Sequence, residues 1–332
     1  MRRYALDHLY SSALFRQKGI KNFLQKQMRY CDLHSDTLTA EGEKQITKRR
    51  LEMGGCTLQC FAAFVSAREN RFRQAASLAD SFYELCEREK IKPVTRSDEI
   101  SSGVNALLTV EDGGAIEGSL EKLVCLYERG VRMMTLTWNY ENEIGYPAFF
   151  DYEGLLKGER SFADREEKRG LKPFGFQCVE KMNELGMMID VSHGSDRLVK
   201  DVAASSKKPF VASHSGARSA LDCARNLTDE GIRLIGKSGG VVGLYFCADF
   251  LSPDLSEKGQ REALLCHARA IVNAGGEDCL AIGSDFDGIP QNPYLKNPSV
   301  MPDFLERLSK EFGRERAEKF AFKNFLRVFS GI

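Results

Sequence analysis

The chain has 332 residues, 42% of them AVILMFWYC, with 29 glycines, a composition that suits a packed core and excludes a disordered or collagen-like polymer. Lys+Arg and Asp+Glu balance at 47 each, so no global basic field exists to hold nucleic acid or an anionic membrane. No apolar run reaches the roughly 18 residues that a membrane helix needs.

Residues 1–27 open with Arg2 and Arg3, but ALDHLYSSALF is interrupted by Asp7 and His8 and leads to no small-residue cleavage site, so it does not read as a signal peptide. The FRQKGIKNFLQKQ stretch that follows has helical spacing and is expected to flank a single domain over 28–332. Eight short apolar or β-branched segments then recur: 28–34, 57–65, 105–111, 131–138, 187–193, 209–215, 240–246 and 279–288. Between them lie helices such as FRQAASLADSFYELCEREK, SLEKLVCLYERG ending at Gly130, and PFGFQCVEKMNELG ending at Gly186. Strands that are nearly continuous in apolar residues imply burial on both faces, as in a parallel sheet covered by helices. Eight such units predict a (β/α)8 TIM-type barrel. A doubly wound dinucleotide fold is the rival, but DLHSDT follows the first strand and supplies no GxGxxG. Residues 139–172 form a long polar connection after the fourth strand, the kind that shapes a substrate mouth.

Ten cysteines are scattered without a CxxC pair, and Cys56 and Cys60 in CTLQC lack a partner pair for a zinc knuckle. They read as reduced, mostly buried thiols of a cytoplasmic protein.

Of five histidines, His34, His193 and His214 fall at the C-terminal ends of strands one, five and six; Glu111 ends strand three and Asp285 strand eight. In a barrel those ends converge on one face, the face that carries active sites. Imidazoles with several carboxylates are the ligand set of a divalent metal centre. His34 and Asp36 are two residues apart, which on extended backbone turns both to one side. Asp112, next to Glu111, is expected to face away by the same alternation. His8 and His267 lie outside the pattern and read as ordinary surface or helix residues.

The segments DLHSDT, TVEDGG, LGMMIDVSH, ASHSGARSALDCARNLTD and AIGSDFDG, in this order, resemble the renal (membrane) dipeptidase family of zinc peptidases, within the amidohydrolase-like barrels. The likeness runs from about residue 30 to the KNFLRVF ending. It implies two Zn2+ ions per chain, with His34 and Asp36 on one ion, His193 and His214 on the other, and Glu111 bridging them. It also implies Arg225 as the grip on the substrate's terminal carboxylate, which suits a planar guanidinium, and Asp285 as the acid/base carboxylate, with Asp287 as the alternative.

Two positions depart from the family. Trp138 stands in LTWN where the family commonly has a histidine, and can donate one hydrogen bond but carries no positive charge. A tyrosine that assists carboxylate binding would fall near Cys247, and Tyr245, two residues earlier, is the expected substitute. The expected activity is hydrolysis of dipeptides with a free C-terminal carboxylate by a bridging hydroxide. The alternatives are another amide, lactam or lactone hydrolase of this fold, or a metal-stabilised binding protein without turnover. The expected partner is a small amide substrate, with neither nucleic acid nor membrane; the resemblance implies a homodimer.

Overall fold

The computed structural model describes residues 27–332; the flanking segment of 1–26 and His8 lie outside the described residues. Eight strands follow in chain order: β1 (Tyr30–Asp32), β2 (Cys56–Phe64), β3 (Asn105–Glu111), β4 (Met133–Thr135), β5 (Met188–Asp190), β6 (Ala212–Ser215), β7 (Val242–Leu244) and β8 (Leu280–Ile282). A two-residue strand, Lys92–Pro93, adds to the N-terminal end of β3. Every pairing is parallel, and the strands form two arcs, β1-β2-β3-β4-β5 and β6-β7-β8. Single bridges close the two seams. Asp190 pairs with Val211 between β5 and β6, and Ser35 pairs with Phe286 beyond the ends of β1 and β8. Leu33 N–H donates to Ile282 O at 3.0 Å, and Val191 N–H to Val211 O at 2.8 Å. The result is the α/β barrel expected from the eightfold alternation.

Helices punctuate the strands where the sequence has caps. Ser119 accepts from Lys122 N at the start of Leu120–Glu128, Pro173 opens Pro173–Leu185, and Gly186 closes it in a left-handed conformation. Arg71–Glu89 and Glu257–Gly275 are the long outer helices. The barrel interior is filled by Leu58, Cys60, Leu107, Met133, Met188, Val211, Val241 and Ala281, and the C-terminal Phe325, Val328 and Phe329 pack into the same cluster. Because β3 alternates sides, Glu111 shares the inner face with Leu107 and emerges at the top of that plug. On β7 and just past β8, a Cβ at Gly243 or Gly283 would lie 2.0 or 1.8 Å from Ser213 O, so only glycine lets the backbone approach β6 so tightly there.

Most observed strands are shorter than their sequence segments. β1 ends at Asp32, two residues before His34, yet the Ser35–Phe286 bridge keeps the backbone extended, and His34 and Asp36 both reach the same site. All ten cysteines are unpaired; eight are buried, Cys125 is half-buried and Cys266 is exposed. Among the described residues no helix is long and apolar enough to cross a membrane.

Candidate metal centre

Six side chains from five strand ends meet at the top of the barrel. Glu111 stands at the middle: Oε2 lies 3.4 Å from His34 Nε2, and Oε1 lies 3.0 Å from His193 Nε2 and 3.4 Å from His214 Nε2. His34 Nε2 is also 3.7 Å from Asp36 Oδ1 and 3.9 Å from Asp285 Oδ1. Three overlapping triads satisfy the spacing of a metal-ligand set: His34–Asp36–Glu111, Glu111–His193–His214 and His34–His214–Asp285. All six residues are buried.

The imidazoles are oriented from behind. His193 Nδ1 is 2.7 Å from Asn139 Oδ1, an acceptor, which places the proton on Nδ1 and leaves Nε2 bare. His214 Nδ1 is 2.8 Å from Ser213 Oγ, whose own proton goes to Asp190 Oδ2 at 2.5 Å, so this ring too must donate through Nδ1. Asp190 is fully buried and also accepts from Thr135 Oγ1, Ser192 N and Ser213 N. It joins β4, β5 and β6 beneath the two histidines. At the other seam Asp32 accepts from Ser284 N at 2.8 Å and Ser284 Oγ at 2.6 Å, beneath His34 and Asp285.

These hydrogen bonds leave two bare Nε2 lone pairs 2.9 Å apart, both against a carboxylate oxygen. That contact is repulsive without a cation. His34 Nε2 and Asp36 Oδ1 are likewise buried with no hydrogen-bond partner, a costly state for polar atoms in an interior. The titration behaviour has the same origin. Burial and the Arg225 charge push His193 down to about 4, and burial with the charge of His34 holds His214 well below its usual value. Burial lowers His34, but the Glu111 and Asp36 carboxylates outweigh it and raise the ring well above the ordinary imidazole range. Burial, with Asp36 and Glu111 nearby, pushes Asp285 up. Two imidazoles held neutral, a third drawn towards carboxylates, and the carboxylates themselves make a donor set that fits a divalent metal ion.

Two of these residues sit on strained backbone: His193 has φ 64° and Asp285 φ 64°. Non-glycine residues rarely adopt this conformation, and it recurs at functional sites. It turns both side chains inward just past their strands.

The site opens into a cavity of about 1090 Å³ that Glu111, His193, Asp285, Arg225 and Trp138 help to line. Arg225 is buried, its Nη2 3.4 Å from His214 O and its guanidinium 5.9 Å from the centre of the Tyr245 ring. No carboxylate forms an ion pair with it among the described residues. Tyr245 is fully buried beneath it, donates its hydroxyl to Asn226 Oδ1 at 2.5 Å, and does not reach the cavity wall.

The remaining expectations resolve individually. Asp287 is a loop anchor, accepting from Thr37 Oγ1, Gln45 N and Ile46 N. Asp112 is turned away from the cluster and accepts from Gly114 N and Asn142 Nδ2. His267 lies on a helix as read, but it is no surface residue: it is fully buried, its Nδ1 accepting from Ala217 N and its Nε2 3.1 Å from Leu251 O. Asp32, Asp190, Ser213 and Asn139 were not singled out from the sequence. An acid inside an apolar strand, as in YCDL and MIDV, was the available signal, because such a group must find donors.

A sequence model of the membrane dipeptidase family, peptidase family M19, matches residues 20–332. An uncharacterised dipeptidase of Schizosaccharomyces pombe is 33% identical over 225 residues, 67% of this chain and 51% of its own. Dipeptidase 3 of Rattus norvegicus is 30% identical over 322 residues, 94% of this chain and 62% of its own. The chain thus spans about half to three fifths of the length of these relatives. Among solved structures, a metallopeptidase of Rhodobacter sphaeroides, liganded with a phosphinate mimic of the dipeptide L-Ala-D-Ala, shares the fold with a TM-score of 0.80 at 23% identity, over 92% of this chain and 99% of that one. With a family match that takes in the entire described barrel and every member of the metal-type cluster, the chain belongs to the membrane dipeptidase family of metallopeptidases.

Proposed function

We propose that this protein is a zinc dipeptidase that cleaves dipeptides bearing a free C-terminal carboxylate, with residues 28–332 as its catalytic domain. The observation that carries the reading is the pairing, in one cavity, of a six-residue metal-type cluster with a buried arginine that has no counter-ion among the described residues. A buried guanidinium facing a cavity calls for an anionic ligand. His34 and Asp36 would hold one ion, His193 and His214 the other, with Glu111 between them. Zinc bound there would supply Lewis acidity to the scissile carbonyl and a water acidic enough to ionise near neutral pH.

The chain's own residues do the rest. Arg225 takes both carboxylate oxygens and fixes the substrate's end, which restricts turnover to short substrates. Tyr245 supports that guanidinium from beneath. Asp285, raised in pKa by burial and its acidic neighbours, accepts a proton from the attacking water and returns it to the leaving nitrogen. The unpaired cysteines support our placing of the protein in the cytoplasm.

Metal analysis of the purified protein, combined with dipeptide hydrolysis with and without a chelator, tests the proposal. The expected result is about two zinc ions per chain and turnover abolished by chelation. Less than one ion per chain, or turnover indifferent to the chelator, overturns it. Asp285→Asn should keep its zinc and lose hydrolysis by roughly a hundredfold or more.

A further inference from the structure

Opposite Arg225, the mouth of the barrel carries a wall of aromatic rings. Trp138, just past β4, has its ring centre 5.0 Å from Phe64 at the end of β2, 5.4 Å from Tyr152 and 5.8 Å from Tyr140. Tyr152 in turn stacks on Phe149 at 5.6 Å. From there the rim of rings runs round through Phe250 to Tyr245 on the Arg225 side, so Phe64, Trp138 and Tyr152 form the far part of the wall. The same indole lies 6.1 Å from the His193 ring, so the wall begins directly beside the metal-type cluster. Trp138, Phe64, Phe149 and Tyr152 all line the cavity. Among the described residues, the cation that lines the cavity on this side is Arg160, turned to Asp151 3.3 Å away at the rim. Of the carboxylates that line the cavity, Asp36, Asp285 and Asp287 belong to the β8–β1 side, Asp249 follows β7 and Glu111 sits in the metal-type cluster.

Strand order fixes the relation of the wall to Arg225. Arg225 follows β6 and packs on Tyr245, next to β7, whereas Phe64 and Trp138 follow β2 and β4 across the barrel. His193 follows β5, between β4 and β6 in that order, and Glu111 reaches it from β3. The two Cα atoms of a dipeptide lie about 3.8 Å apart. With its carboxylate on Arg225 and its amide over the cluster, its first residue lies on the far side, against the rings.

Building on the dipeptidase reading, we propose that this aromatic wall receives the side chain of the substrate's amino-terminal residue and makes the enzyme selective for dipeptides whose first residue is bulky and apolar. Glycine in that position leaves the wall uncovered. An acidic first residue meets only Arg160 there, which Asp151 already engages.

The test compares kcat/KM of the zinc-loaded enzyme for Gly-Ala, Asp-Ala, Leu-Ala and Phe-Ala, each with L- and D-alanine. Leu-Ala and Phe-Ala should exceed Gly-Ala and Asp-Ala by roughly tenfold or more, the scale on which apolar pockets discriminate. Trp138→Ala, with Tyr152→Ala as a second variant, should reduce that ratio to about threefold or less. A binding readout is built in, because Trp138 is the only tryptophan of the chain. Leu-Ala added to zinc-loaded Asp285→Asn should shift tryptophan emission to the blue as the indole loses water, at concentrations roughly tenfold lower than Gly-Ala requires. Uniform cleavage of all four dipeptides, a ratio unmoved in both variants, or emission that ignores Leu-Ala overturns the inference and leaves the dipeptidase reading standing. Failure of the zinc-loaded wild type to cleave any of them removes both.

Discussion

At the scale of single residues, the convergence of the metal-type side chains was legible because their types are scarce and their spacing is tied to strand ends. His34, Glu111, His193 and His214 needed only the barrel to bring them together. The groups that aim them were not legible, since a serine or an aspartate inside a strand has many ordinary uses. Ser213 is the sharpest case. Its hydroxyl carries the negative charge of Asp190 to His214 Nδ1 and keeps Nε2 bare. Removing an outer partner of this kind costs about 10–100-fold in metal affinity. Ser213→Ala should therefore lose zinc to a competing dye at correspondingly lower dye concentration while its circular dichroism stays that of the wild type; unchanged affinity would mean that the proton of His214 is held some other way. His267 is buried for a different reason, bracing Ala217 and Leu251, and burial pushes it down to about 4. Its ordinary value is about 6.5. Between these values the unfolded chain binds a proton that the folded chain refuses. The stability held by the neutral ring is complete above pH 6.5 and is lost as pH falls towards 4, on the order of 3 kcal/mol in all. Urea unfolding of the metal-free protein across that window should show a slope shallower by about one proton in His267→Gln; equal slopes would mean that the ring charges freely in the fold.

At the scale of elements, helix and strand positions followed from apolar runs and from caps such as Pro173 and Gly186. Strand ends did not, because the backbone leaves regular geometry where the chemistry begins. His193 and Asp285 both take left-handed conformations that no sequence pattern of non-glycine residues announces. The polar connection of 139–172 does more than bridge a gap: Phe149, Tyr152 and Leu155 line the cavity. The turn after β8 is equally constrained. A Cβ on Gly288 would fall 2.0 Å from Asp36 Oδ2 and 2.6 Å from Asp285 Oδ1. The carboxylates, being side-chain ends, would swing away. Gly288→Ala should thus fold normally, bind zinc more weakly and lose roughly tenfold or more in turnover, as displaced catalytic groups do. Normal zinc content with normal turnover would show that the turn yields instead.

At the scale of the whole molecule, the β/α alternation made the barrel legible, but its division into two arcs was not, since nothing in the composition of β5, β6, β8 or β1 marks them as joined by single bridges. Those seams are where the functional groups collect. His193 and His214 face each other across one; His34 and Asp36 meet Asp285 across the other. Asp190 and Asp32 lie directly beneath, one per seam. A bound pair of cations would act as keystones, locking two half-rings whose direct backbone ties are few. Stripping the ions should accelerate deuterium uptake at Val191, Val211, Leu33 and Asp285 well before it reaches the continuous β2–β3 ladder. Uniform uptake around the ring would show that the arcs hold without them. In this architecture, losing such cations would loosen the wheel that carries their ligands.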